Sequence, residues 1–310
     1  MDFINRTTTP RTWRARIGKL LALLSIFVLC LQSVSAQNAT SSARLASQLQ
    51  GFGPEVWFLP DDELLGFVAI PEGSFPMGSN PLIDPMAFEN ERWSATRRQG
   101  IVELPEYYIA RYETTTAQFA AFVEATGYRA DPQALQKELN HPAAFVSWTD
   151  AVAYARWLDK TLREAPSLAQ PLRDFLTQGG HVTLPNEAEW EKAAKGGDSR
   201  IYPWGNQMQP QRANVAGTGT MAVGSFSCPE CLFDLKDMSG NVWEWTRSPY
   251  QDYPFDATNV RGNLSEDALW TMRGGAYNDA ANNARAAVRG AADPGARRPF
   301  IGFRVVLSKQ

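Results

Sequence analysis

From Tyr202 to the C-terminus the chain shows almost no helical periodicity and reads as short extended stretches between long irregular loops. So long a run of irregular backbone is uncommon in a folded domain unless the loops are functional or pinned by metals. Composition agrees with this reading. The chain has 23 glycines and 20 prolines to make turns, and ten tryptophans to anchor backbone that lacks a regular ladder. Within the region, Asp237-Met238-Ser239-Gly240-Asn241-Val242-Trp243-Glu244-Trp245 places two carboxylates on either side of a Gly-Asn turn. A carboxylate, a tight turn with free carbonyls and a second carboxylate make an oxygen cage suited to calcium. The alternative is a turn between strands whose tryptophans fill the core, since no full calcium-loop pattern is present.

Residues 1–36 read as a signal peptide. Arg6, Arg11, Arg14, Arg16 and Lys19 precede an apolar stretch from Leu20 to Leu31, and Val34-Ser35-Ala36 is a small-x-small cleavage pattern. The apolar run is shorter than the roughly 20 residues of a bilayer span, so contact with a membrane is expected only through an uncleaved signal. The mature chain begins near Gln37 in an exported compartment, expected to be the periplasm. Residues 37–64 read as a linker and 65–308 as the folded domain. Net charge is -3 and the basic residues beyond the leader are scattered, so nucleic acid is not an expected partner.

Of the three cysteines, Cys228 and Cys231 lie beyond the leader, in Cys-Pro-Glu-Cys. In an exported protein so close a pair most simply forms a local disulfide. A redox-active pair normally opens a helix after a strand. A zinc site needs two more ligands, and His141 and His181 are the chain's two histidines.

Phe67-Val68-Ala69-Ile70 reads as a strand and Pro71 to Ser74 as a turn; Ile101 to Tyr112 reads as extended, broken at Pro105. Capping boxes predict three helices. Thr115 with Gln118 starts one that carries Phe119, Phe122 and Val123 inward and ends at Gly127. Ser147 with Asp150 starts the helix of Ala151, Tyr154, Ala155 and Leu158. Asn186 with Glu189 starts one that ends at Gly196-Gly197.

Several blocks then follow one another in a specific order. They are Phe67 to Ser79 (FVAIPEGSFPMGS), Tyr108 to Thr115 (YIARYETT), His141-Pro142, Val146-Ser147-Trp148, and Leu184 to Glu191 (LPNEAEWE). After these come Tyr202 to Asn206 (YPWGN), Arg212 to Val215 (RANV), the 237–245 segment, Arg273 to Tyr277 (RGGAY) and Gly302 to Val305 (GFRV). This succession, over roughly residues 65–308, resembles the formylglycine-generating enzyme family, also called sulfatase-modifying factor domains. The resemblance implies an α+β, C-type-lectin-like fold, low in regular structure and often calcium-bound. Matched position by position, it implies Asp237 and Glu244 as side-chain calcium ligands, with Gly240 and Val242 giving backbone carbonyls. Asn214 and Val215 match part of a second calcium site, whose remaining loop is shortened here.

One departure bears on chemistry. Members that make formylglycine carry two copper-binding cysteines after the Arg-Gly-Gly block. Here that stretch is Ala276-Tyr277-Asn278-Asp279-Ala280-Ala281-Asn282-Asn283-Ala284-Arg285, with Asp279 at the first cysteine position and no second one. Soft copper(I) wants thiolates, which Asp and Asn cannot replace, so copper is not an expected cofactor. Members without the pair include periplasmic maturation factors, such as those of pyoverdine siderophores. Others are domains attached to iron-dependent sulfoxide synthases, and still others are variable binding proteins of diversity-generating retroelements, which vary this same stretch.

Four residues are the candidates for chemistry: Asp279, Arg285, Glu113 and His141. Asp279 and Arg285 lie in the expected pocket loop, where binding groups concentrate. Glu113 is a family-block carboxylate suited to acid–base work if burial raises its pKa, and His141 titrates near working pH. Each has an alternative. Arg285 can pair with an internal carboxylate, as expected for Arg273 and Arg304. His141 can sit in a structural turn, and Asp279 in a solvated loop. The tryptophans Trp148, Trp190, Trp204, Trp243 and Trp245 are expected in the core. The expected function is an exported accessory or maturation factor acting on a peptide-like or aromatic substrate. The alternatives are a non-catalytic module binding a ligand or partner protein, and a formylglycine generator.

Overall fold

The segment Gly100–Leu104 alternates outward and inward as a strand must: Ile101 is 71% exposed, while Val102 and Leu104 are buried. The computed structural model describes residue 49 and residues 51–53, 57–94, 96, 99–166, 168–256 and 268–310. The expected leader and most of the first half of the linker lie outside the described residues. Residues Gly51–Gln310 form one compact unit. Phe58 and Leu59 are buried in it, so the packed domain takes in part of the segment expected as linker.

Strand β1 (Phe67–Ile70) is followed by β2 (Gly73–Met77), which extends through the end of the expected turn and pairs with β3 (Gly100–Leu104). Pro105 interrupts the extended run as predicted, and β4 (Tyr107–Ala110) returns antiparallel to β1, Phe67 opposite Ala110. Helices α1 (Thr116–Thr126), α2 (Trp148–Glu164), α3 (Gln170–Thr177) and α4 (Glu187–Lys195) follow, with β5 (His181–Thr183) between α3 and α4 in the chain and packed against α2. The three predicted capping boxes are formed in full, and Gly127 ends α1 in the left-handed conformation at φ 67°. Helix α3 adds to the expected set. It has no side-chain cap and opens instead with Pro171 in its first turn.

The remaining strands are short: β6 (Trp243–Pro249), β7 (Trp270–Arg273), β8 (Arg289–Ala292), β9 (Ile301–Gly302) and β10 (Val306–Ser308). They complete two four-stranded sheets, ordered β1-β4-β10-β5 and β8-β7-β6-β9, beside the β2-β3 pair. Strand β10 is held between β4 and β5, so the end of the chain closes the sheet that its beginning opened. Together with the helices this is the expected α+β class.

One apolar cluster joins α1 and α2 to Trp245, Trp270, Phe303 and Leu307. A second surrounds α4, and its composition is unusual. Glu187, Glu189, Glu191, Lys192 and Lys195 of this helix are all buried. Burying an unpaired charge is very unfavourable, so each must find a partner. Arg273 binds Glu187 at 3.1 Å and also Glu191, while Arg289 forks onto Glu187 at 2.5 and 3.0 Å. Arg247 grips Glu189 at 2.6 and 3.0 Å, and Lys195 reaches Glu191 at 2.7 Å. Lys192 donates to the carbonyls of Pro71 and Gly73. Helix α4 is thus an ionic hub that fixes β6, β7 and β8 and the turn between β1 and β2.

Candidate functional site

The turn leading into β6 is shaped by three left-handed residues: Asp237 (φ 57°), Gly240 (φ 83°) and Asn241 (φ 64°). At Gly240 the backbone passes so close to its neighbour that a Cβ would stand 2.2 Å from the carbonyl oxygen of Asn214. Only glycine fits there. Gly240 N–H donates to Gly274 and Asn241 N–H donates to Asn214, each at 2.9 Å, so the turn is knitted to both neighbouring loops.

Around this turn three carboxylates share one guanidinium. Glu244 is fully buried, and Arg304 grips both its oxygens at 2.6 Å while the Trp190 indole donates to Oε2 at 2.7 Å. Glu113 lies just beyond β4 and is buried. It accepts from the Asn241 side-chain amide at 2.6 Å and from Val242 N–H at 3.2 Å. Burial pushes its carboxyl well above the usual range, and the charges of Asp237 and Glu244 push it further, against the pull of Arg304. Asp237 accepts from Gly224 N–H at 2.6 Å, and desolvation raises its pKa to about 6.

In kind, the donor set is oxygen only, as a hard cation requires, with Arg304 and, beside Asp237, Lys236 as the opposing charges. Two of its four expected donors, at Gly240 and Val242, are backbone carbonyls. Among the described residues no three His, Cys, Asp or Glu side chains converge as a metal cluster. Both Glu244 oxygens are already engaged, so a cation here shares that carboxylate with Arg304 and Trp190. Asn214, expected at a second site, is committed elsewhere, its amide donating to Gly219 and to Asn241.

The loop 214–224 crosses the turn and draws the other candidates to it. His141 Nδ1 lies 3.0 Å from the Thr220 hydroxyl and 3.8 Å from the Glu138 carboxylate; desolvation lowers its pKa against the opposing pull of Glu138. Met221 N–H donates to Asn241, the residue that also binds Glu113. Ala216 and Gly217 donate to the carbonyls of Asp279 and Tyr277. The Asp279 side chain accepts from the Trp243 indole at 2.7 Å and Ala276 N–H at 3.0 Å, with Asn283 at 3.3 Å. Glu113, His141, Asp237 and Asp279 therefore border one loop.

Arg285 is not with them. It is fully buried and turned toward residues 84–91, binding Asp84 at 2.5 Å and Glu91 at 2.7 Å through both terminal nitrogens, with Nε on the carbonyl of Asn282. Of the two readings open for Arg285, ligand contact and internal pairing, the structure shows the internal pairing, with its guanidinium buried. Trp243 packs only at the edge of the core. It is half-buried, with its indole on Asp279, while Trp148, Trp190, Trp204 and Trp245 are in the core. The roles of Trp190, Asn241 and Thr220 at the site were not foreseen. Trp190 meets Glu244 across 54 residues with no local signal, whereas Asn241 stood in the quoted turn as a residue suited to left-handed backbone. The sulfur atoms of Cys228 and Cys231 are bonded to each other, and Cys228 packs with Ile201, Tyr202 and Trp204.

A model of the sulfatase-modifying factor enzyme 1-like domain matches residues 59–309. The chain belongs to the formylglycine-generating-enzyme family. The formylglycine-generating enzyme of Thermomonospora curvata is 30% identical, over 79% of this chain and 94% of that protein. The inactive C-alpha-formylglycine-generating enzyme 2 of Bos taurus is 33% identical over 55% of this chain, which spans about half (51%) of that relative's length. Among solved structures, PvdO from Pseudomonas aeruginosa superposes with a TM-score of 0.61 at 25% identity, covering 78% of this chain and 94% of the other. Treponema denticola variable protein 1, with a TM-score of 0.58 at 20% identity, shares the fold, over 78% of this chain and 94% of the other. The family fold thus includes proteins named as enzymes and one named as inactive.

Proposed function

We propose that this family member is an exported accessory or maturation factor of the periplasm, acting on a peptide-like or aromatic substrate, with calcium as a structural ion in the 237–244 turn. The observation that carries this reading is the occupant of the pocket stretch. Asp279, a carboxylate held by Trp243 and Ala276, stands where a copper thiolate is needed, and the two cysteines beyond the leader are spent on each other. In this proposal Asp279 positions a donor group of the substrate at the loop's rim. Glu113, its carboxyl pushed upward by burial, stiffens the turn beneath it through Asn241 and Val242 N–H. Calcium, when bound, supplies charge neutralisation for Asp237 and Glu244 and rigidity to the loop 214–224. The likeness to PvdO over nearly the whole of that chain supports the reading.

The test compares metabolites and modified peptides of a strain lacking the gene with strains restored by the natural protein or by Asp279→Asn. Asn keeps the shape and one acceptor oxygen for Trp243, so the fold should survive while product is lost. Full restoration by the Asn variant would remove Asp279 from the chemistry. No change on deletion, together with retained capture of a partner, would favour the second reading, a binding module. The likeness to the Treponema variable protein supports only the fold of that alternative. Recovery of formylglycine in a sulfatase peptide would overturn both.

A further inference from the structure

Away from the turn, a groove opens between the N-terminal half of α2 and the strands β5 and β6. Its walls are Trp148, Val152 and Ala155 on one side, and Val182 and Thr183 on the other, with Gln310 at its edge; Arg156, His181, Arg247 and the Gln310 amide are able to give hydrogen bonds to a guest. Trp148 is fixed in place. It stacks on Trp270 at 4.0 Å between ring centroids, and its indole N–H donates to the carbonyl of Thr246. The wall is therefore preformed, with Trp148 itself 5% exposed.

The charge of this groove is the second observation. Arg247 is only 8% exposed and spends its terminal nitrogens on Leu184, Glu189 and Ser308, but its Nε has no partner among the described residues. A buried donor left unpaired is costly, and native structures rarely keep one without a reason. Arg156 is exposed on α2 and has no carboxylate within ion-pair distance among the described residues, whereas the nearby Asp159 is occupied by Arg163 and by Val182 N–H. Glu189, the acid behind Arg247, is neutralised by it. His181 is partly buried with its pKa lowered by desolvation, so it is a neutral hydrogen-bonding group at neutral pH. Donors, and the charge of Arg156 that is unpaired among the described residues, meet an apolar, aromatic wall.

We propose that this groove is a binding site for a small carboxylate carried on an aromatic or apolar body, with the ring against Trp148 and Val152 and the carboxylate toward Arg156, His181 and Arg247. It is separate from the residues proposed for function and stands whether or not that reading holds.

Benzoate is the probe, titrated into the full chain and followed by the shifts of the Trp148 indole and His181 imidazole in NMR spectra. Saturable binding with a Kd on the order of 1 mM is expected for so small a ligand. Arg156→Glu should weaken it about tenfold or more, and benzyl alcohol should bind about tenfold less tightly than benzoate. Val152→Trp, which fills the groove from an accessible helix face, should abolish it. Melting within a few degrees of the natural protein certifies each variant, and the two act by charge and by shape, so one failing to fold leaves the other. Absence of saturable binding, unchanged affinity in Val152→Trp, or equal affinity for benzyl alcohol would overturn the proposal.

Discussion

Replacing Arg285 by Met separates an internal brace from a ligand-handling group. The guanidinium makes four hydrogen bonds, to Asp84 at 2.5 Å, to the two oxygens of Glu91 at 2.7 Å each, and to the carbonyl of Asn282 at 2.7 Å. It is fully buried, as is Glu91, and the Phe88 ring lies 5.1 Å from its centre. Removing one member of a buried ion pair costs about 3–5 kcal/mol, because the remaining charges stay desolvated. Here two carboxylates are stranded, which argues for the upper end. Against that, Glu91 keeps the Ser79 hydroxyl and Phe88 N–H, and Asp84 keeps Met86 N–H, so a loss of about 4 kcal/mol is the working value. For a domain of this size that corresponds to a fall in Tm of roughly 8–16 °C. Urea denaturation at neutral pH measures it. Adding Asp84→Asn and Glu91→Gln should recover part of the loss, and Arg285→Lys should fall between, since an ammonium cannot make the same fork. A loss below about 1 kcal/mol, accompanied by failure to form product, would refute the reasoning and return Arg285 to the substrate.

Gly240→Ala should destabilise by about 2 kcal/mol or more, because the added carbon meets the Asn214 carbonyl at 2.2 Å on left-handed backbone; a melt shows it, and a change within a few tenths would mean the loop moves freely. Asp237 holds a proton in the folded state between its ordinary 3.8 and about 6, so its contribution favours folding at low pH and is lost as pH rises through about 6. The chelated protein should therefore melt higher at pH 5 than at pH 7, and added calcium should reverse that order; indifference to both would sink the proposed ion. Cys228→Ser with Cys231→Ser opens a very short loop and should cost about 2 kcal/mol, measured by urea titration, without loss of product; loss of product from a folded variant would make the pair chemical.

What was legible in the sequence was local. Thr115 with Gln118, Ser147 with Asp150 and Asn186 with Glu189 each write a helix start within four residues, and each was formed. Helix α3 was missed because Ala169 gives no cap, leaving Pro171 and the later Gly179-Gly180 as its only marks. Strand β2 begins inside the segment 71–74 that reads as a turn from Pro71 and Gly73, because its partner β3 enforces the extended form there. Helix α4 shows the larger limit. Nothing local in its Glu and Lys residues signals burial, which depends on partners 58 to 121 residues away. At the candidate site the turn and its two carboxylates were readable as a segment. The meeting of Glu113 with Asn241 across 128 residues was not, and neither was the destination of Arg285, 201 residues from Asp84. No spacing rule carries information of that range.

The two arginines at either end of the pocket stretch act as anchor bolts. Arg273 is fastened to α4 and Arg285 to the segment 84–91, so the backbone enters and leaves residues 276–284 at positions set by the frame. Whatever is written between them inherits a fixed mounting. Asn278, Ala280 and Asn282, whose side chains hydrogen-bond to none of the frame among the described residues, are thus replaceable lettering on a rigid plate, whereas Asp279 beside them is riveted to it.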